Sequence, residues 1–433
     1  MFEVLITVII SCAVLVALVL VKPTIEIKGV SISIYWLAPL VGAILIVVLS
    51  LLSPQEVVGG LLRDSDVNPI KILVLFISMT VISVFLDNAG FFRYLASIVL
   101  SKSNFGQMGL FAMLYAMVSV LTIFTSNDII VLTFTPFICY FAHSAGIDPI
   151  PYLIGEFIAA NTWSMALIIG NPTNIYLASN AGVSFFGYCS TMLLPTLLAG
   201  IVSFAILCLL FQKKLRTPIC YSQKPFKLPD KPLVVIGVVH LACCIILMSV
   251  SSYIRMPMWL ISLGFCISLL LISSIYIFIT AGDMHIIGET FKRIPFDVIP
   301  FVISMFTLVL ALDKFGITKI LGSFLSRGNS ILTFGISSFL TANVINNIPM
   351  SVLFSSIIET IPVSIQTQSL YAAVIGSNLG AFFTPIGALA GIMWMGLLKH
   401  HHVKLTFLQF IKYGAVISVA ALGVALGGLM LTL

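Results

Sequence analysis

Residues Phe76–Leu95 read FISMTVISVFLDNAGFFRYL, and residues Val302–Leu321 read VISMFTLVLALDKFGITKIL. Aligned with a shift of 226 and no gap, seven of twenty positions are identical: Ile77/Ile303, Ser78/Ser304, Met79/Met305, Leu86/Leu312, Asp87/Asp313, Gly90/Gly316 and Leu95/Leu321. In a chain so rich in Leu and Ile those matches carry little weight, so the paired Asp and Gly decide the comparison. They point to an internal duplication.

The flanking sequence repeats as well. Each copy is followed by an amphipathic stretch (Arg93–Lys102; Lys319–Arg327), then by an apolar region with a polar centre. Those regions are 107–143, centred on Ser126-Asn127-Asp128, and 331–361, centred on Asn346-Asn347-Ile348-Pro349. Next comes an apolar run too long for one span, 152–180 or 370–398, interrupted by Gly, Pro and Asn. A helix crosses about 30 Å of hydrocarbon in roughly 20 apolar residues. Stretches 4–21, 34–52, 71–87, 187–211, 233–251, 258–279, 298–312 and 410–431 meet that need and, with the two interrupted runs, make ten spans. A polar cluster is not tolerated in a straight lipid-facing span, whereas a re-entrant helix–turn–helix hairpin buried in protein accommodates it. Each half then holds five spans and one hairpin. Five crossings reverse the chain, so the second half is inverted relative to the first. The expected fold is an all-α polytopic membrane protein, with repeats at 1–211 and 233–433 and a linker at 212–232.

Composition agrees with that reading. Of 433 residues, 60% are apolar and 8% charged, against roughly 25% charged in soluble domains. These values exclude an ordinary cytosolic enzyme, a disordered chain and a secreted disulfide scaffold. The net charge of +6 does not indicate nucleic acid, because the 21 basic residues are scattered between apolar segments. The run 4–21 lacks a basic leader and a small-residue cleavage site, and reads as a retained span. The linker carries Lys213, Lys214, Arg216, Lys224, Lys227 and Lys231 against Asp230, which makes it cytoplasmic. Placing it inside also puts Lys22, Lys28, Arg93, Lys102, Lys292, Arg293, Lys399, Lys404 and Lys412 inside. Arg63, Lys71, Arg255, Lys314, Lys319 and Arg327 fall outside, a division of fifteen to six among the 21 basic residues. Both termini are then extracytoplasmic, in a multi-pass protein of the inner membrane.

Paired hairpin tips and interrupted helices suit secondary transport. Half-helix N-termini aim unpaired N–H groups at an anion or a hydroxyl-rich solute, and unwound carbonyls coordinate a cation. The candidate site residues in the first half are Ser126, Asn127 and Asp128 at the hairpin and Asn171, Thr173 and Asn174 around the Gly170–Asn174 break. The second half offers Asn346 and Asn347 at its hairpin, and Ser377, Asn378 and Thr384 in its interrupted run. Proline removes a donor and glycine permits a tight bend. An intramembrane carboxylate is costly, so Asp128 is the preferred ion- or proton-linked group. Glu156, near the start of a span, reads as an interfacial charge, and Asp87 and Asp313 as caps of the helices that follow them. The eight cysteines lack metal spacing and read as buried small hydrophobes. His400-His401-His402 reads as a solvated loop. Neither G-x-x-x-x-G-K-[ST], H-E-x-x-H nor G-x-S-x-G occurs, so a transporter is expected rather than an enzyme. No cofactor is expected beyond a coupling proton or sodium ion.

These motifs carry a resemblance. Phe124–Ile138 (FTSNDIIVLTFTPFI), Asn346-Asn347-Ile348-Pro349 and Ile375–Trp394 (IGSNLGAFFTPIGALAGIMW) resemble the hairpin and broken-helix signatures of the ion transporter superfamily. The chain is most similar to the arsenite–antimonite efflux permease branch. The resemblance implies a homodimer-forming fold with a scaffold and an elevator-type transport domain. It also implies a small inorganic or organic anion or oxyacid as substrate, with arsenite or antimonite extruded in exchange for protons. That family typically carries Asp where this chain has Asn378, and another near Asn161, which joins the candidate site on that ground. The Gly170–Asn174 break instead resembles that of sodium-coupled dicarboxylate and anion symporters. The alternative reading is therefore a sodium-coupled symporter of a dicarboxylate or inorganic oxyanion. A cytosolic ATPase subunit stays open as a partner.

Overall fold

The computed structural model describes residues 2–21, 24–27, 30–62, 69–101, 106–180, 183–217, 227–280, 282 and 284–433. The first half runs α1 (Phe2–Val21), strands β1 (Thr24–Ile27) and β2 (Val30–Ser33), α2 (Leu37–Val48), α3 (Pro54–Leu62), α4 (Pro69–Asn88) and α5 (Phe91–Ser101). It continues with α6 (Gln107–Phe124), α7 (Asn127–Ala145), α8 (Ile150–Trp163), two 3-10 turns (Ser164–Ala166 and Ile168–Gly170), α9 (Pro172–Asn180) and α10 (Phe185–Leu215). The second half runs α11 (Lys231–Ser249), a short α12 (Ser251–Ile254), α13 (Met258–Ile279), α14 (His285–Lys292), α15 (Val298–Lys314) and α16 (Ile317–Leu325). It ends with α17 (Ser330–Ile345), α18 (Asn347–Glu359), α19 (Val363–Gly380), α20 (Leu389–His400) and α21 (Phe407–Thr432). From α4 to α10 and from α15 to α21 the order of helices is the same. The fold is all-helical apart from the antiparallel β1–β2 hairpin, in which Thr24 faces Ser33 and Ile27 faces Val30. Its β-branched residues suit a pleated pair better than a loop.

The matched Asp-x-x-Gly of the two halves is a helix stop. Gly90 and Gly316 both lie in the left-handed region, at φ 86° and 73°. Their N–H groups bond to the carbonyls of Asp87 and Asp313 at 2.8 and 2.9 Å, which ends α4 and α15 and turns the chain into α5 and α16. A side chain there would be strained, which accounts for the glycine in both copies. The two Asp side chains do other work than the capping expected. Asp87 pairs with Arg293 at 2.7 Å, while Asp313 accepts from the Thr318 hydroxyl at 2.6 Å.

Among the described residues, six helices are long and apolar enough to cross a membrane, and seven if α15 and α16, bent by 80°, form one span. They are α4, α6, α10, α11, α13 and α21. The chain is therefore a polytopic, multi-pass membrane protein. Five of the six coincide with expected spans, whereas α6 falls in the region 107–143 expected to be a re-entrant hairpin. The remaining expected spans fall on α1, α2 and α15 or on helices that break mid-course. Outward-facing Ile201, Leu209, Ile246 and Ile275 are exposed, as a lipid-facing surface requires.

Packing relates the halves. α6 lies against α8 as α17 lies against α19, and α8 lies against α10 as α19 lies against α21. α7 packs on α20, and α18 packs on α9. Helix α2 packs on α15, and α13 packs on α4. Each hairpin thus ends against the broken helix of the opposite half. One apolar core joins most of these elements, and a smaller one gathers α1, α2 and α15 with Leu73 and Phe76 of α4.

Candidate functional site

Four helix breaks create the polar centre. Before α7, Ser126 is extended (φ −148°, ψ 144°), so the N–H groups of the first turn of α7 lack intrahelical partners. Before α18, Asn346 takes φ 75° and ψ 157°, and its Oδ1 accepts from the Ile348 N–H. Pro349 fits the first turn of α18, where a missing donor costs little. Helix α8 ends at Trp163, earlier than the Gly170–Asn174 motif suggested, and the chain passes through two 3-10 turns before α9. Asn171 is extended there (φ −150°, ψ 139°), as a residue before proline tends to be. In the second half Gly376, Ser377 and Asn378 still belong to α19, and the break spans 381–388, including Thr384-Pro385-Ile386-Gly387.

The amides at these breaks form one network. Asn127 Nδ2 donates to Asn161 Oδ1 at 3.1 Å, and Ser126 lies 3.5 Å from Asn127 Oδ1. The Ser164 hydroxyl and Asn171 Nδ2 both donate to Asn378 Oδ1, at 2.9 and 2.8 Å. Asn378 Nδ2 donates to Asn174 Oδ1 at 2.7 Å and to Val374 O at 2.8 Å. Asn174 Nδ2 holds Ser164 O at 2.8 Å, and the Thr173 N–H holds Asn171 Oδ1 at 3.1 Å. Asn161 repeats the Val374 contact in its own half, donating to Phe157 O four residues back at 2.8 Å. Asn127, Asn161, Asn171, Asn174 and Asn378 are all buried. Each missing bond there would cost about 1–3 kcal/mol.

A second group surrounds the other hairpin tip. Asn346 Nδ2 donates to Ile386 O at 3.0 Å, and the Asn347 N–H to Gly387 O at 3.1 Å. Asn343, which sequence reasoning passed over, accepts from the Thr384 N–H at 3.1 Å and hydroxyl at 2.7 Å. Its Nδ2 donates to Gly380 O at 3.0 Å. An amide three residues before Asn346 in an apolar helix was the available signal. Ser164 was missed for lack of any motif. The buried oxygens Asn347 Oδ1, Ser377 Oγ and Thr173 Oγ1 have no hydrogen-bond partner. Asn347 and Thr173 stand at breaks and Ser377 in the last turn of α19 beside one, where a solute could supply the missing bond.

Two carboxyls stand beside this amide centre. Asp128, in the first turn of α7, is half-buried and belongs to neither network. It lies within electrostatic reach of Tyr35, whose hydroxyl donates to Asp297 at 2.7 Å. Glu156 is 2% exposed, so it is not the interfacial charge expected. Its two oxygens share one donor, the Thr135 hydroxyl, at 3.0 and 3.1 Å. Among the described residues no group of three or more His, Cys, Asp or Glu could hold a metal. Cys139, Cys244 and Cys266 are buried as small hydrophobes, and Cys243 is exposed; Cys220 lies outside the described residues. A cavity of about 20 Å³ lies between the α4–α15 pair and the α9–α18 pair, lined by Phe76, Pro172, Tyr176, Val302, Ile348 and Ser351.

Known proteins share this chain's sequence and fold. It is 28% identical over 374 residues to an arsenical pump membrane protein of Escherichia coli, covering 83% of this chain and 85% of that one. A second arsenical pump membrane protein, from Escherichia coli K12, is 26% identical over 423 residues, covering 94% and 95%. A 46 kDa membrane protein of Mycobacterium leprae is 24% identical over 410 residues, covering 92% and 93%. Among solved structures, the Alcanivorax borkumensis YdaH transporter shares the fold at a TM-score of 0.54 and 12% identity, covering 99% of this chain and 97% of that one. The profile of the citrate transporter family matches residues 16–371. With that match over most of its length, a polytopic helical fold and an amide-lined centre, this chain belongs to the citrate transporter family, whose members are membrane transporters.

Proposed function

We propose that the protein is a secondary active transporter, not an enzyme, that extrudes arsenite or antimonite in exchange for protons. The observation that carries this reading is the uncharged centre. Amides and hydroxyls from both halves converge there, and Asn347 Oδ1, Ser377 Oγ and Thr173 Oγ1 lack partners. Arsenous acid is neutral and presents O–H donors, so orphaned oxygen acceptors suit it without a buried cation. Asp128 at the hairpin tip supplies a carboxyl for proton exchange. The names of the relatives support the same substrate.

The matching order of helices in α4–α10 and α15–α21 supports an inverted repeat, with 1–211 and 233–433 as its units and 212–232 as linker. The breaks before α7 and α18 support re-entrant hairpins. In this reading α6–α9 and α17–α20 move as an elevator-type transport domain against a scaffold that includes α4 and α15, and the ten expected spans are α1, α2, α4, α8–α9, α10, α11, α13, α15, α19–α20 and α21. The ion pairs agree with the expected sidedness. Lys214–Asp148 and Arg293–Asp87 join groups assigned to the cytoplasmic side, and Lys314–Glu56 joins groups assigned outside. A homodimer in the inner membrane follows from the resemblance, with a cytosolic ATPase subunit as an optional partner.

One observation favours the alternative, a sodium-coupled symporter of a small anion. The N-termini of α7, α9 and α18 open at the breaks, and helix N-termini attract anions. Reconstitution into liposomes separates the two. Arsenite movement driven by a pH gradient supports the exchanger; sodium-driven uptake of a dicarboxylate or an inorganic oxyanion, with no response to protons, refutes it.

A further inference from the structure

We propose that Glu156 is a second proton-binding site of the transport cycle, carried between α7 and α8, and this rests on the proton-exchange reading above. The carboxyl is 2% exposed, and the Thr135 hydroxyl lies 3.0 and 3.1 Å from its two oxygens. From α7 it also faces the Cys139 thiol, and from α20 the Trp394 indole. Behind α8 lie α6 and α10, whose titratable groups are engaged elsewhere: the Tyr115 hydroxyl donates to Gly200 O at 2.9 Å, and Cys208 neighbours Tyr115. Among the described residues no Lys, Arg or His pairs with Glu156. A carboxylate has about four lone-pair positions to satisfy, and one hydroxyl with one indole N–H does not fill them. A buried charge without a counter-ion is strongly disfavoured, so in this closed arrangement the group holds a proton.

Position links that proton to the substrate centre. Helices α7 and α8 are tied twice, by Asn127–Asn161 at the hairpin tip and by Thr135–Glu156 further along. Glu156 and Asn161 are five residues apart on α8, about 7.5 Å along its axis. Thr135 directly precedes Pro136, the proline inside α7, where the backbone ladder is already interrupted. The Thr135 hydroxyl donates to a carboxylate or accepts from a carboxylic acid, so it can follow the group in both states. Releasing the proton requires water to reach the carboxyl, which requires α7 and α8 to part. That same movement opens the amide pair at the tip.

The test uses full-length protein in liposomes, with the proton-to-arsenite ratio read from the pH gradient that balances a fixed arsenite gradient. In Glu156→Gln the ratio should fall by one and in Glu156→Asp it should be restored, while arsenite–arsenite exchange persists in both. Infrared spectra supply a readout that needs no substrate. Wild type at neutral pH should show a protonated-carboxyl stretch that Glu156→Gln lacks and Asp128→Asn keeps. If Glu156→Gln does not assemble, Thr135→Val keeps the carboxyl, removes its hydroxyl partner and should shift that band. An unchanged ratio, a band surviving Glu156→Gln, or a band unmoved by Thr135→Val overturns the proposal. Wild-type protein that exchanges no arsenite overturns the substrate assignment instead, and the infrared result still decides whether Glu156 holds a proton.

Discussion

Asn378 Nδ2 donates to Asn174 Oδ1 at 2.7 Å, joining the broken helices of the two halves across 204 residues of sequence. Asn378 Oδ1 meanwhile receives Ser164 and Asn171, so one amide of α19 ties down the break of the first half. Asn378→Leu would orphan Asn171 Nδ2 and Asn174 Oδ1, at about 1–3 kcal/mol for each. Asn347 differs, because its Oδ1 has no partner to lose. We predict that Asn378→Leu lowers the thermal midpoint in detergent and abolishes transport, whereas Asn347→Leu abolishes transport with a much smaller shift. Equal shifts in the two variants would mean that Asn347 belongs to the structural network rather than the substrate path.

Gly170 and Gly387 occupy corresponding breaks, and neither has room for a side chain. A Cβ at Gly170 would lie 2.3 Å from Ser164 O, and one at Gly387 2.3 Å from Gly380 O. Both obstacles are backbone carbonyls, which cannot rotate away. Alanine at either position should therefore cost stability, by about 1–3 kcal/mol as for overpacked sites, and should stop transport. Gly59, inside α3 and with nothing within 4 Å, is the control: Gly59→Ala should leave transport unchanged and should hold or slightly raise stability, since alanine is the better helix former. The comparison is read by melting temperature and uptake.

The proposed sidedness rests on the basic linker. A cysteine placed at Ser222, in the segment outside the described residues, should react with an impermeant maleimide only after the cytoplasmic face is exposed. Labelling of intact cells would invert every loop assignment, including that of Lys314 and Glu56.

The Glu56–Lys314 pair makes a pH prediction. Its hydrogen bonds to Lys314 and to the Ser53 N–H pull the Glu56 carboxyl down to about 2. A folded-state value below the unfolded one stabilises the fold above the unfolded value, about 4.3, and that contribution fades as pH falls toward 2. Wild type should therefore lose more thermal stability between pH 5 and pH 2 than Glu56→Gln does. The pair is exposed, so the difference should be small and should shrink in high salt. Identical slopes in the two proteins would show that the pair contributes nothing.

Much of this architecture was legible because membrane burial writes itself into composition. The Asp-x-x-Gly match singled out two corresponding positions, which the structure shows to be helix stops at Gly90 and Gly316, since a left-handed turn requires a particular residue wherever it recurs. Clusters of Asn and Ser marked the centre because an amide in an apolar run needs a partner. What the sequence could not convey was pairing between halves. Asn174 and Asn378 meet through tertiary packing, and Asn343 serves Thr384 and Gly380 only because α17 lies along α19. Glu156 misled for the same reason: five residues or so from a helix start resembles an interface until α7 and α20 cover it.

Asp128 separates the two substrate readings. It is the only carboxylate at either hairpin tip, since Asn347 opens α18 as Asn127 opens α7 and the first turn of α18 carries no acid. It sits half-buried in the first turn of α7, whose N-terminus favours negative charge, and so is placed to gain or lose a proton as the tip changes exposure. With amides at 161 and 378, few other groups near the centre can do so. In an arsenite–proton exchanger, Asp128→Asn should cut the response to an imposed pH gradient by about tenfold or more, in the range of a lost proton-transfer group. A sodium symporter would instead hold Asp128 ionised as a ligand or structural partner, and the same change would raise the sodium concentration needed for half-maximal uptake while leaving little pH dependence to lose. Liposomes with either gradient imposed, compared before and after the substitution, give opposite answers for the two cases. A variant whose sodium requirement rises while its pH response is untouched would sink the exchanger.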